Sequence, residues 1–350
     1  MPRLRRVDCS APGLTRRRRG KGFEYIDSSG GRVEDPETLL RIRHLGIPPA
    51  WTNVWICHHP RGHLQAVGTD AAGRRQYLYH EVWRQRRDAE KFEHMIEFAR
   101  SLPTLREACD GDLERTGLGR ERVLGCAVRL LDRGFFRIGT EGYAEQNQTY
   151  GLATMQKKHV RLKDNVIHFD YVAKSGKRRI HRLVDPAILD VVSALKRRRG
   201  GGPELLAYKE GGTWTDVKSA DINLYIKEIT GEEFTAKDFR TWNATVLAAV
   251  AMAMSGEAAT SKTARKRAIT RATQEVARYL GNTPAVCRAS YIDPRVFDRY
   301  QSGWTISSPV TDQLGADTEF GELSTQGPVE EAVLDLLEDR REAGTVEKIA

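Results

Sequence analysis

Cysteine is scarce in this 350-residue chain: Cys9, Cys57, Cys109, Cys126 and Cys287 form neither a CxxC pair nor a Cys/His ligand spacing. That excludes a disulfide framework and a zinc site, and it fits a reducing cytoplasm. No run of about 18 apolar residues occurs, and the arginine-rich start from Met1 to Arg19 has no apolar stretch, so neither a membrane span nor a secretion signal is expected. A Walker A sequence is missing, as is any acidic cluster suited to magnesium. His58, His59 and His63 lack a carboxylate or cysteine at ligand spacing. No metal and no cofactor are therefore expected.

What is abundant is positive charge. Lys and Arg number 56 against 47 Asp and Glu, giving +9 and a pI near 9.3, which makes a polyanion the first partner to consider. The charge is unevenly spread: Thr305 to Ala350 holds 11 acidic and 3 basic residues, so the rest of the chain is more basic than the total suggests. This tail reads as a solvated appendage or a packing helix at Val329 to Leu337.

Length favours two domains. Residues 1–21 read as a basic disordered arm. From 22 to 87, turn formers such as Ser28-Ser29-Gly30-Gly31 and Pro48-Pro49 separate short runs, Trp51 to Cys57 and Leu64 to Val67, which predicts a small antiparallel β domain. From 88 to 304 helical spacing takes over, with Phe92, Met95, Ile96 and Ala99, then Val123, Leu124, Ala127, Leu130 and Leu131 before Gly134. A β segment interrupts it: Ile167, Phe169 and Tyr171 alternate with His168 and Asp170, and Lys174-Ser175-Gly176-Lys177 supplies a hairpin turn. Asp185-Pro186 predicts an N-cap with proline at the first helical position. Thr235-Ala236-Lys237-Asp238 predicts a capping box, which puts Arg240 in a first helical turn where an anion can bind. The fold class is α+β, the larger domain mainly helical.

Taken singly, Arg137, Lys174, Arg240 and Tyr291 have ordinary explanations as solvated charge, turn residue or packing. Their order changes that. The succession FRIGTEGY (136–143), YGLATMQKKHV (150–160), AKSGK (173–177), KDFRTWNAT (237–245) and YLGNTP (279–284), followed by Tyr291, resembles the type IB DNA topoisomerases in their poxvirus and bacterial branch. LRIRHLGIPPAWTNVWI (40–56) and GRRQYLYHEVW (73–83) extend the likeness into that branch's amino-terminal domain. It covers roughly Gly22 to Tyr300.

The resemblance implies a monomeric, ATP- and metal-independent enzyme that closes on duplex DNA as a C-shaped clamp. It implies Tyr291 as the nucleophile that forms a 3′-phosphotyrosyl bond, Arg137 and Arg240 as the guanidinium pair on the phosphate, and Lys174 as the general acid for the leaving 5′-oxygen. The physics fits: attack on an anionic diester needs permanent cations with paired donors, and the departing alkoxide needs a proton. Lys177, across the same turn, competes with Lys174 for the acid role or contacts a phosphate. Asn282 stands where the family commonly has histidine. Its amide can donate to a phosphate oxygen but cannot carry charge or relay a proton.

For DNA contacts, the likeness implies Gln76, Tyr77 and Tyr79 in the major groove, flanked by Arg74 and Arg75, although strand alternation leaves one tyrosine free to be core. Lys157, Lys158, His159 and Lys237 are read as phosphate contacts, and the helix around Lys262, Arg265, Lys266 and Arg267 as lining the DNA channel or holding a flexible segment near it. A nucleoid-associated cytoplasmic protein follows. The nearest rival is a tyrosine recombinase, which usually shows HxLRH at the second arginine where this chain has KDFRT. A DNA-clamping protein that has lost the chemistry is the other.

Overall fold

The computed structural model describes residues 3–255, 261–307, 310 and 326–349. The chain divides into two compact units, Met1–Phe92 and Glu93–Ala350.

The first unit is built on one antiparallel sheet. Its strands β1 (Leu14–Arg19), β2 (Gly22–Ile26), β3 (Thr52–Ile56), β4 (Leu64–Thr69) and β5 (Arg75–Tyr79) lie in the order β2-β1-β3-β4-β5, with helix α1 (Pro36–His44) between β2 and β3 in the chain. Leu14, Val54, Ile56 and Ala66 from the sheet and Ile42 from α1 make the core. Arg16 to Arg19, expected in a disordered arm, form β1. They are held because they pair with β2 and because Arg16 caps a loop, donating to the carbonyls of Ile47 (3.3 Å), Pro48 (3.0 Å) and Trp51, and lying 4.2 Å over Phe23.

Helix α2 (Glu81–Leu113) runs across the boundary at residue 92. The second unit then contains α3 (Arg120–Gly134), α4 (Glu141–Asn147), the sheet β6 (Val160–Lys163), β7 (Val166–Ala173) and β8 (Lys177–Leu183), and α5 (Pro186–Arg197). The hairpin β9 (Ala207–Glu210) and β10 (Thr213–Asp216) leads to α6 (Ser219–Thr230), α7 (Ala236–Ala253), α8 (Lys262–Leu280), α9 (Pro284–Ser290) and α10 (Pro294–Gln301). Last come β11 (Trp304–Ile306), α11 (Pro328–Leu337) and β12 (Val346–Lys348), with β11 paired to β12.

Local signals act where expected. Asp185 caps α5 by accepting from the Ala187 and Ile188 amides, and Thr235 with Asp238 forms the capping box that opens α7. Every residue of α7 from Phe239 to Val250 is buried, as befits a helix surrounded by others.

Of the acidic stretch, 308–309, 311–325 and 350 lie outside the described residues; the rest returns to the unit. Val329, Val333, Leu336 and Leu337 are buried, so α11 is the packing helix and not the solvated appendage. Its Glu330 completes a buried ionic cluster. Arg106 of α2 donates through Nε and Nη2 to Asp132 of α3 (2.9 and 3.0 Å) and through Nη1 and Nη2 to Glu330 (2.6 and 2.9 Å). The Trp242 indole of α7 donates to Glu330 at 2.8 Å.

Candidate active site

Three separate pieces of chain deliver cations to the carbonyl end of α8. Arg137 follows α3, where Phe135 ends the helix in the left-handed conformation. It donates to the Asn282 Oδ1 and, at 3.5 Å, to the Gly281 carbonyl. Arg240, expected in the first turn of α7, sits in the second because the helix starts at Ala236; only 5% exposed, it donates to the carbonyls of Phe135 (3.0 Å) and Leu280 (2.9 Å). Arg179 of β8 donates to the carbonyls of Arg278 (2.8 Å) and Tyr279. A helix C-terminus carries partial negative charge, so it is a natural resting place for guanidinium groups.

The YLGNTP run is a helix-to-helix corner. Gly281 ends α8 at φ 65°, and Asn282 donates its amide back to Ala277 at 3.0 Å. Thr283 then caps α9, with Pro284 at its first position. A side chain at Gly281 would be strained by the backbone and would press on the Arg179 guanidinium, 3.1 Å from where its Cβ would sit. Seven residues of α9 later comes Tyr291, half-buried at the break before α10. The Arg240 guanidinium carbon lies 5.3 Å from the Tyr291 ring centre.

These positions set the electrostatics. Burial disfavours ionisation of the Tyr291 phenol, but the charges of Arg240, Arg137 and Lys237 outweigh it and hold the phenol below its ordinary value. Burial, reinforced by Arg137, pushes Arg240 down to about 10, so it remains a cation at neutral pH. The nearby Tyr171 behaves oppositely: burial raises its phenol to about 12 against the pull of Arg179, Arg240 and Arg137. Of these two phenols, Tyr291 alone is drawn toward ionisation.

Arg137, Arg179, Arg240, Lys174 and Lys177 line one cavity with Tyr171, and no carboxylate is among its lining residues. Two donors at the site, Arg240 Nε and Asn282 Nδ2, are buried with no hydrogen-bond partner among the described residues. Because Arg137 engages the Asn282 oxygen, the amide is turned with its NH2 group free. Buried donors without acceptors beside uncompensated cations describe an anion site.

Both hairpin lysines are exposed, carried by a turn in which Ser175 and Gly176 take left-handed conformations (φ 67° and 71°). Lys237 is exposed in the first turn of α7. His159 uses Nδ1 to accept the Gln156 amide (3.1 Å) and packs 4.4 Å from the Tyr150 ring, whereas Lys158 is exposed and Lys157 half-buried beside it.

On β5, Tyr77 and Tyr79 are both exposed (44% and 40%) and stacked at 6.2 Å, so neither is core. They share one face because they are two apart; Leu78 turns to the core instead. Arg75 lies beside Tyr77, while Arg74 and Gln76 are bound to Asp70 in the adjoining turn.

Arg179 was not singled out in the sequence, yet the signal was there. Counting by twos from Lys177 puts Arg179 and His181 on the same face, paired with Tyr171 and Phe169. Burial and the charges of Arg179 and Arg240 push His181 down to about 3, so it is a neutral member of the site wall.

Comparison with known proteins identifies the family. Residues 80–307 match the family described as eukaryotic DNA topoisomerase I, catalytic core, and residues 22–70 match the bacterial DNA topoisomerase IB N-terminal domain. The chain is 33% identical to DNA topoisomerase 1B of Acanthamoeba polyphaga mimivirus over 295 residues, covering 83% of this chain and 88% of the viral protein. It is 23% identical to DNA topoisomerase 1 of rabbit fibroma virus, over 79% of this chain and 89% of that one. With Schizosaccharomyces pombe DNA topoisomerase 1 it shares 29% identity over 160 residues, 45% of this chain and 18% of the yeast protein. The chain belongs to the type IB DNA topoisomerase family and is a DNA-acting isomerase.

Proposed function

We propose that this topoisomerase relaxes positive and negative supercoils by cutting one strand of duplex DNA through Tyr291, letting the free end swivel, and resealing it. The observation that carries the reading is the Tyr291 phenol beside Arg240, an arginine that has an orphaned donor and itself lines a cavity of cations with no lining carboxylate.

In the forward step the phenolic oxygen attacks the phosphorus and the bond from phosphorus to the 5′-oxygen breaks. The phenol proton leaves to solvent, and the 5′-oxygen takes a proton from Lys174, with Lys177 as the nearby second cation. Arg137 and Arg240 compensate the charge that grows on the non-bridging oxygens, and the Asn282 NH2 group supplies a neutral donor to one of them. The energy of the cut bond is kept in the phosphotyrosyl diester, so resealing runs in reverse without ATP or a metal.

Around this chemistry we expect one copy of the chain to suffice on duplex DNA. Tyr77, Tyr79, Arg75 and Gln76 meet bases or backbone, and Lys157, Lys158, His159, Lys237, Arg74 and the basic face of α8 meet phosphates. Binding weakens as salt rises. A nucleoid-associated, cytoplasmic site of action follows from that partner.

The test is incubation with supercoiled plasmid in EDTA without ATP, followed by denaturing capture of covalent complexes. Relaxed plasmid and protein linked to a DNA 3′ end are expected, both absent from Tyr291→Phe. An adduct that persists in Tyr291→Phe refutes the assignment of the nucleophile, and no relaxation by the unmodified protein refutes the activity.

A further inference from the structure

Tyr291 stands at the junction between two helices. Helix α9 ends there, Asp293 caps α10, and both Tyr291 and Ile292 donate their backbone amides to the single carbonyl of Cys287 (3.0 and 3.2 Å). Asp293 is fully buried, so its amide needs an acceptor within the protein.

That acceptor is a side chain of another helix. The Thr245 hydroxyl of α7, itself fully buried, accepts the Asp293 amide at 3.1 Å. Its one proton faces two carbonyls, Thr241 at 2.9 Å and Tyr291 at 3.4 Å, so the hydroxyl touches the backbone on both sides of Ile292. A threonine in mid-helix bonding back to its own preceding turn contributes little to that helix. Valine has the same shape and would fill the space. What the hydroxyl adds is the link to the α9–α10 junction.

The link has a direction. Thr245 lies five residues after Arg240, about 7.5 Å along the same helix. The guanidinium beside the phenol and the hydroxyl beneath the phenol's backbone are therefore mounted on one rigid element. We propose that Thr245 is a positioning residue that holds Tyr291 in register with Arg240, so that the phenolic oxygen and the phosphate-binding guanidinium keep a constant separation. This rests on the reading of Tyr291 as nucleophile.

The experiment compares full-length wild type, Thr245→Val and Thr245→Ser in single-turnover formation of the covalent complex, from about pH 6 to about pH 10, the ordinary tyrosine value. Loss of the hydroxyl in Thr245→Val is expected to slow cleavage about tenfold to a hundredfold, as a small misplacement does. DNA affinity is unchanged, and Thr245→Ser stays within about twofold of wild type. The midpoint of the pH profile is expected to move upward in Thr245→Val. The groups facing the phenol are Arg240 and Lys237 on α7 and Arg137 after α3, and looser registration weakens their pull on the phenolate.

Equal cleavage rates and pH profiles for valine and threonine, assayed below the melting temperature of both, overturn the proposal and leave Thr245 a packing residue. If Thr245→Val does not fold, Thr245→Ala, which adds no bulk, is judged by the same rates and profile. Tyr291→Phe run in parallel separates the two ideas. An adduct in that variant refutes the nucleophile assignment, whereas a lost adduct together with a wild-type Thr245→Val refutes only the role of Thr245.

Discussion

Two arginine clusters lie in the second unit, and they solve the burial of charge in opposite ways. Around Arg106 every guanidinium nitrogen has an acceptor: Asp132 and Glu330 share the group, and the Trp242 indole and the Gly327 amide also donate to Glu330. Around Arg240 there are Arg137, Arg179 and two lysines, no lining carboxylate, and donors at Arg240 Nε and Asn282 Nδ2 with no described partner. The first cluster has spent its bonding capacity inside the protein and can only hold helices together. The second has kept its capacity for a visitor of opposite charge, resting its guanidinium groups on helix carbonyls meanwhile. Matched charge ties helices together here, and unmatched charge leaves room for an anion.

The contrast can be broken at either cluster. Glu330→Ala leaves Arg106 half-paired and the Trp242 N–H without its acceptor, and is expected to cost about 3–5 kcal/mol of stability, read as a fall in melting temperature. Its cleavage rate below that temperature should stay within a few-fold of wild type. Arg240→Ala is expected to do the reverse, lowering single-turnover cleavage by roughly 10²–10³ with little loss of melting temperature. If the two substitutions had the same profile, the distinction between the clusters would collapse.

A smaller change sharpens it. A cation favours the phenolate, so removing one raises the phenol pKa and leaves less phenolate at any pH below it. Lys237→Gln removes the weakest of the three charges acting on Tyr291. Its cleavage rate near neutral pH should fall by less than about tenfold, with the pH midpoint displaced upward, as a fraction of a pKa unit implies.

Patterns with fixed local offsets were legible in the sequence. The Asp185-Pro186 cap, the Thr235–Asp238 box and the turn at Ser175-Gly176 each depend on neighbours within four residues, and each forms. What could not be read depends on partners far along the chain. Arg16 looks like part of a solvated arm until the carbonyls of Ile47, Pro48 and Trp51 are folded beneath it. Thr245 is one more residue of an apolar helix until the amide of Asp293, 48 residues later, lands on it. Likewise Glu330 is a charge in an acidic tail until Arg106 meets it. The candidate site was legible as a set of motifs, but the use of Arg137 to turn the Asn282 amide was not, because no spacing encodes a side chain's rotation.

The pairing of Arg106 with Glu330 spans 224 residues and so has a consequence for timing. A ribosome makes α7, with Arg240 and Thr245 in place, well before it makes α11. Until α11 emerges, Trp242 lacks its acceptor, Arg106 has Asp132 without Glu330, and one side of α7 is bare. The helix that carries the Arg240 guanidinium is thus fully seated only once α11 has been made, so α7 spends part of synthesis on an unfinished support.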